Sequence, residues 1–339
     1  MVGCVLVRDG QVVGEGFHEE FGGPHAEVMA LEAAREQARG ATAYVSLEPC
    51  DHHGKTPPCS QALVEAGVAR VVYGAADPGQ ASAGGGATLR DHGVEVVGPV
   101  WDDALARAEN PVFFHNARHD TPFVALKLAT TLDGRIASAP GRRTRITGDD
   151  ADREVHRLRS GFDALMVGAG TARTDDPRLT VRLAPQGRTA PRRIVLAPSA
   201  ELAEDAALLK DAASVPVHVF TGAHAQEAEL ERLEAAGAHV HPVAGDVRGL
   251  DLDAVLAVCR DLGIGSVLCE GGARLGASLL RAGLARRLYL FVAPMALGEG
   301  GVAAFGPDAP ALPWASFRPA CPPQAHGRDT LIVLDREDP

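Results

Sequence analysis

Lysine is scarce in this chain. Of its 33 basic residues only Lys55, Lys127 and Lys210 are lysine, which leaves thirty arginines. Where arginine is the default cation, a retained ammonium can mark a specific requirement for a compact point charge; chance placement is the competing explanation. Positive charge as a whole is in deficit, with a net charge of −11 over 339 residues. A general nucleic-acid binder is therefore not expected, local arginine clusters aside. No apolar run approaches the roughly 20 residues that a membrane-spanning helix needs. Met1–Val7 reads as a short strand and not as a basic-then-apolar leader, so a cytoplasmic location is expected. Six cysteines in a chain this long, with no export signal expected, are too few to suggest a disulfide framework. Cys4, Cys259 and Cys269 fall in apolar patterns and read as small buried hydrophobes. No internal repeat is present, so the two halves of the chain are expected to be different domains.

What the chain does have is Pro24-His25-Ala26-Glu27, followed by Pro49-Cys50 and, nine residues later, Cys59. One imidazole and two thiolates form a three-ligand zinc set that leaves a fourth tetrahedral position for water, as a catalytic site requires. His-x-Glu followed by Pro-Cys…Cys is the pattern of zinc deaminases acting on nucleobases. In such sites the metal activates water and a glutamate outside the ligand set, here Glu27, carries protons. The usual pair is Cys-x-x-Cys; here Asp51 to Pro58 intervene, so a longer loop must return Cys59 to the metal. A closed structural site is the alternative, with His52 or His53 as the local candidate for a fourth ligand.

The elements around these residues follow from pattern. Residues 2–7 and 11–17 alternate about Arg8-Asp9-Gly10, a hairpin signal. A helix is expected from His25 to Gly40, strands at 42–47, 68–74 and 94–97, and helices at 59–66 and 87–92. Both metal segments are then expected at helix N-termini, where the dipole favours a thiolate. Residues 98–122 read as a connector with one amphipathic turn at 102–109. A second α/β pattern follows, with strands at 123–130, 163–168, 192–197, 215–221, 238–241, 265–269, 286–293 and 329–335. Helices are expected at 149–160, 226–236, 251–262 and 273–283, and loops at 183–191 and 298–327. Two α/β domains are expected, at 1–118 and 119–339.

The stretch Glu48-Pro-Cys-Asp-His-His-Gly-Lys-Thr-Pro-Pro-Cys59 is far more specific than the ligand types alone. The second half adds Lys127-Leu-Ala-Thr-Thr-Leu-Asp133, then Gly168-Ala-Gly-Thr171 with Asp175-Asp-Pro-Arg-Leu179-Thr-Val-Arg182, then Glu270-Gly-Gly-Ala-Arg-Leu-Gly276. With these, the chain from Val2 to about Val333 resembles the bifunctional deaminase/reductase family of riboflavin biosynthesis. The resemblance implies a cytidine-deaminase-like α/β sandwich followed by a dihydrofolate-reductase-like α/β domain. It implies hydrolytic deamination of a phosphorylated diaminopyrimidinone riboside, then NADPH-dependent reduction of its ribosyl chain to ribityl. His25, Cys50 and Cys59 match the zinc ligands and Glu27 the proton carrier. Lys55 and Thr56 match a loop that contacts substrate, and Arg143, Arg159, Leu179, Arg182 and Glu270 match substrate-side positions of the reductase. Ala129, Arg145, Thr171 and Asp175 match dinucleotide contacts. So do Gly272, Ala273, Arg274, Leu275, Gly276, Ala277 and Ser278, whose helix N-terminus can hold phosphates. A homodimer is implied by the resemblance alone.

The chain also departs from the family. An N-terminal helix and a Pro-Asn-Pro segment that normally precede Val-Gly-Cys are expected to be missing. Asp77-Pro-Gly79-Gln replaces Asp-Pro-Asn-Pro. Arg143-Thr-Arg145-Ile-Thr147 replaces Ser-x-Trp-Ile-Thr, and Ala197-Pro198 replaces Asp-Ser. Arg145 in place of the tryptophan can stack on a base or pair with the cofactor's 2′-phosphate. Two further readings stay open on the sequence: a deaminase with a weak or repurposed reductase acting on a related pyrimidine, and a zinc-stabilised binding protein without catalysis. A retained Glu27 argues against the second, because a structural metal needs no proton carrier.

Overall fold

A computed structural model describes residues 2–17, 23–52, 57–79, 82–185, 189–246, 249–306 and 316–337. The chain divides into two compact units, Met1–His119 and Asp120–Pro339.

In the first unit, β1 (Gly3–Arg8) and β2 (Gln11–Phe17) form the expected hairpin. Its tip, Asp9-Gly10, takes positive φ at both residues, as a two-residue turn matched to strand twist requires. The sheet continues with β3 (Thr42–Leu47), β4 (Arg70–Ala75) and β5 (Glu95–Val97) in the order β2-β1-β3-β4-β5. β1 is antiparallel to β3, whereas β3, β4 and β5 run parallel. Helices α1 (Ala26–Ala34), α2 (Cys59–Glu65) and α3 (Gly85–Asp91) accompany it. Cys4, Leu6, Ala30, Ala34, Val45, Leu63, Val71 and Leu89 make the core. Gly16 lets β2 lie directly on α1, since a Cβ there would overlap the Ala26 carbonyl oxygen. The backbone just after His25 is thereby fixed against the sheet.

The helix expected from His25 to Gly40 is shorter: α1 ends at Ala34 and a 3₁₀ turn over Arg35–Ala38 completes it. The 98–122 connector holds two helices, α4 (Asp103–Glu109) and α5 (Pro111–Asn116). Asp102 caps α4 by accepting the Leu105 N–H at 2.8 Å. Pro111 starts α5, the position where proline's missing N–H costs nothing.

The second unit is built on a ten-stranded sheet. Its strands are β6 (Phe123–Thr131), β8 (Ala164–Gly168), β9 (Arg192–Leu196), β10 (Val217–Gly222), β11 (His239–Val243), β14 (Ser266–Cys269), β15 (Ala285–Ala293), β17 (Phe317–Pro319), β18 (Gln324–His326) and β19 (Asp329–Arg336). The path is β11-β10-β9-β8-β14-β6-β15-β19-β17, with β18 also on β19. Every pair from β11 to β15 is parallel; β19 is antiparallel to β15 and β17. Short ribbons pair β7 (Arg135–Ala137) with β16 (Val302–Ala303), and β12 (Gly245–Asp246) with β13 (Gly249–Leu250). The helices are α6 (Asp149–Arg159), α7 (Ala169–Asp175), α8 (Glu227–Ala235), α9 (Leu252–Asp261) and α10 (Ala273–Arg281). The parallel strands are apolar almost throughout, as strands covered on both faces must be. Parallel α/β sheets place ligands outside the carboxyl ends of their strands, and that edge carries the second unit's cleft.

Candidate active sites

In the first unit, α1 presents His25 from its N-cap and Glu27 from its first turn. Cys50 follows the end of β3, and Cys59 is the first residue of α2. Thus His25 and Cys59 stand at helix N-termini as expected, whereas Cys50 itself lies in irregular backbone. His25 Nδ1 is 3.2 Å from Cys59 Sγ and 3.4 Å from Cys50 Sγ. The three donor atoms all lie within 4.8 Å of one another, and among the described residues no other His, Cys, Asp or Glu group gathers in this way. His52 is exposed and outside the set; His53, Lys55 and Thr56 lie outside the described residues.

The electrostatics fit a cation. The Cys50 thiol is pulled down to about 4 by the hydrogen bond from Cys59, opposed by burial and aided by His25 and the Cys59 N–H. Removing the second proton is strongly opposed, first by the adjacent Cys50 sulfur and then by burial and Glu27. A buried dithiolate beside a carboxylate needs a metal to exist, and zinc accepts this N/S set. Glu27 is 3% exposed. Burial raises its carboxyl to about 7, with the Cys50 charge adding to the rise and backbone hydrogen bonding, His25 and Cys59 opposing it. A carboxyl poised near neutrality can both take and give a proton.

Sequence reasoning passed over the residues that hold this loop in place. Asp51 accepts from Ser60 Oγ at 2.5 Å and Thr88 Oγ1 at 2.7 Å, pinning the residue after Cys50 to α2 and α3. Glu48 accepts backbone N–H groups of Gly86 and Asp77 at 3.1 and 3.4 Å. Gly85 admits Pro49: a Cβ there would overlap the Pro49 carbonyl oxygen. The one local signal was the acid flanking each side of Pro49-Cys50.

The second unit carries a cleft of about 2440 Å³. That exceeds the 300–1,000 Å³ typical of a single small-ligand pocket and leaves room for a dinucleotide beside a substrate. Ala129, Arg143, Arg145, Thr171, Asp175, Glu270, Gly272, Ala273, Arg274, Leu275, Ala277 and Ser278 line it, together with Lys127. Gly276 does not; it faces Leu126. Arg159, Leu179 and Arg182 do not line it either. Arg159 is joined to the cleft through Glu270, a two-point pair of 2.6 and 2.8 Å. Both side chains are nearly buried, at 12% and 9% exposure. Burial resists the Glu270 charge, but Arg159 and Lys127 hold its carboxyl below the usual range.

The cofactor fit is seen in the backbone. The Gly272 N–H donates to Thr171 Oγ1 at 2.9 Å, bringing the N-termini of α7 and α10 together. Two N-termini and a glycine turn form a cradle suited to a pyrophosphate. Burial lowers the Lys127 ammonium and raises the Asp175 carboxyl; each is opposed by charges on this cleft. Arg145 is differently engaged: it is paired with Asp149 and, at 3.0 Å, with Asp152.

The model of the RibD C-terminal domain family matches residues 122–315, and that of the cytidine and deoxycytidylate deaminase zinc-binding region matches residues 1–75. The riboflavin biosynthesis protein RibD of Aquifex aeolicus is 40% identical over 300 residues, covering 88% of this chain and 82% of its own. RibD of Escherichia coli K12 is 39% identical over 311 residues, with the same two shares. Among solved structures, Acinetobacter baumannii RibD (form 1) matches at TM-score 0.84 and 34% identity, covering 99% of this chain and 92% of its own. The Thermotoga maritima diaminohydroxyphosphoribosylaminopyrimidine deaminase/5-amino-6-(5-phosphoribosylamino)uracil reductase matches at TM-score 0.82 and 33% identity, with the same coverage.

Proposed function

We propose, from the chain's membership of the RibD family, that its two riboflavin-biosynthesis reactions divide between the units by the residues described. The enzyme is a bifunctional deaminase/reductase using zinc and NADPH. It hydrolyses the 2-amino group of 2,5-diamino-6-ribosylamino-4(3H)-pyrimidinone 5′-phosphate and then reduces the ribosyl chain.

His25, Cys50 and Cys59 would hold zinc, which supplies Lewis-acid activation of water when bound. Glu27 takes the proton of the attacking water and delivers it to the ring nitrogen; it then takes the proton of the new C2 hydroxyl, which becomes the carbonyl, and gives it to the amine, which departs as ammonia. Lys55 and Thr56 belong to this proposal as substrate contacts. In the second unit the α7 and α10 N-termini and the Gly272–Ser278 segment would hold NADPH, which supplies the hydride. Reduction at C1′ opens the C1′–O4′ bond, so the cleft would have to provide a proton for O4′. Lys127, next to Glu270 on the cleft wall and with its ammonium destabilised by burial, is placed to give it. Arg182 offers an exposed guanidinium group for the 5′-phosphate, while Arg159 is engaged by Glu270 and the Thr180 carbonyl oxygen. A cytoplasmic location suits the six free cysteines, and a homodimer is part of the same reading. Light scattering of the purified protein tests the latter.

The observation that carries this reading is the convergence of His25, Cys50 and Cys59 beside the buried Glu27. The test is to incubate purified protein with the diaminopyrimidinone ribotide, with and without NADPH, and follow product masses. Deaminated product without NADPH and reduced product with it are expected. Deamination without any NADPH oxidation would favour a repurposed reductase; no deamination by zinc-loaded protein would overturn the assignment.

A further inference from the structure

The segment between α7 and β9 that carries Arg182 is bent back on itself. Asp176 and the buried Leu179 both take left-handed backbone conformations, at φ of 40° and 49°. Such conformations persist in non-glycine residues only where the surroundings impose them. Asp176 is the C-cap of α7, and its Oδ1 accepts the Ala207 N–H at 2.7 Å; past Leu179, α6 holds the segment at two points. Arg159 Nη1–H donates to the Thr180 carbonyl oxygen at 2.9 Å, and the Arg182 N–H donates to His156 Nδ1 at 3.0 Å. His156 and Arg159 are three residues apart and share one face of α6. Beyond that tether the Arg182 side chain is exposed, with Nη1 on Thr180 Oγ1 at 2.7 Å.

An imidazole that accepts a backbone N–H at Nδ1 must be neutral, with its proton on Nε2. Burial keeps His156 so, helped by the charges of Arg159 and Arg182 and opposed by Glu270 and Asp152. Arg182 is itself held below the usual arginine range by burial and by the charges of Arg159 and Arg178. Glu270, paired with Arg159, opposes that shift.

We propose that His156 is a positioning residue of the reductase: its Nδ1 fixes the backbone of Arg182 and so aims that guanidinium at the substrate's 5′-phosphate. The inference rests on the reading of Arg182 as a phosphate contact, and the experiment separates the two. Asn places an acceptor near the position of Nδ1, whereas Gln reaches toward Nε2 and leaves Nδ1 empty. Reductase kinetics are measured for wild type, His156→Gln, His156→Asn and Arg182→Ala, with the phosphorylated substrate and its 5′-dephosphorylated counterpart. His156→Gln should raise KM for the phosphorylated substrate by about 10-fold, the size of one lost hydrogen bond, with kcat within about twofold. KM for the dephosphorylated substrate should hardly move, His156→Asn should recover most of the loss, and NADPH affinity should be unchanged in all variants. If Arg182→Ala leaves the discrimination between the two substrates intact, the phosphate reading of Arg182 fails. If Arg182→Ala abolishes it while His156→Gln affects both substrates equally, or Asn restores nothing, the positioning role is wrong. Should the Gln variant fail to fold, amide exchange of Arg182 in the wild-type enzyme decides: it must be slow, and fast exchange overturns the proposal.

Discussion

Glu27 combines near-complete burial with an interaction with Cys59, and the role proposed for it is proton transfer. Glu27→Gln keeps the shape and removes the proton. It should bind zinc normally and lose deaminase turnover on the order of 10²–10⁴-fold. Wild-type turnover in a zinc-replete variant would remove Glu27 from the mechanism. Lys127 is the corresponding residue in the reductase. Its ammonium is buried, lies 5.8 Å from the centre of the Phe291 ring and is partly restored by Glu270. Lys127→Met should reduce reductase kcat on the order of 10²-fold while NADPH affinity stays within about twofold. Absorbance at the NADPH band and a binding titration give both numbers, and an undiminished kcat would leave the proton to another group. Lys127 was conspicuous in the sequence only as one of three lysines. What makes it chemically unusual, burial opposed by a carboxylate 143 positions later (270 − 127), is a product of the fold.

The elements show where sequence reasoning reached and where it stopped. The long parallel strands were legible because their apolar runs have no other explanation. Helix α7 was not, because Ala169–Asp175 is short and carries no periodic apolar face. Helix α5 lies in the stretch that reads as a connector, where Pro111 is a helix start. The clustering of His25, Cys50 and Cys59 was legible from residue type and spacing, since zinc chemistry tolerates few substitutes. The Arg159–Glu270 pair, 111 residues apart, was not legible: the resemblance implied two separate substrate-side positions, and only the fold joins them. Arg145 shows the limit of residue-by-residue transfer. Standing where an aromatic is expected, it lines the cleft but is spent on Asp149 and Asp152 in the first turn of α6. The three side chains are 65%, 78% and 42% exposed, so the network is worth little. Yet it diverts the guanidinium from a bound nucleotide. Arg145→Ala should therefore change the NADPH dissociation constant by less than about threefold. A tenfold weakening in a fluorescence titration would show that the arginine swings onto the cofactor.

Two units with separate chemistries should fail separately. All three zinc donors lie in Met1–His119 and the whole described cleft in Asp120–Pro339. Chelation should then abolish deamination and leave NADPH oxidation with supplied intermediate unchanged. Loss of both on dialysis against a chelator would tie the reductase to the metal. Acid should act on the second unit through two buried imidazoles. His218 is pressed between His239 and His241, at ring distances of 5.1 and 5.2 Å, and its Nδ1 is 3.0 Å from His241 Nε2. Burial, then the charges of His241, His239 and Arg192, lower it to about 4, and burial lowers His156 to about 4 as well. In the unfolded chain a histidine titrates near 6.5. Their folded values lie below that, so the unfolded state binds more protons at intermediate pH. The stability they contribute is complete above about pH 6.5 and is lost as pH falls toward 4. Carboxylates held low by partners, such as Glu270, begin to lose their contribution only as pH falls into the ordinary carboxylate range, near 4.5, so most of the change between pH 6.5 and 4.5 comes from the imidazoles. Calorimetry should show the second unit's transition falling by roughly 5 °C or more across that window. His218→Phe keeps an aromatic ring between its neighbours and cannot charge, so it should flatten the fall in part, with His156 and His241, both also lowered by burial, remaining. A second-unit transition that does not move between pH 6.5 and 4.5, or moves equally in His218→Phe, would mean that these imidazoles are not kept neutral by burial.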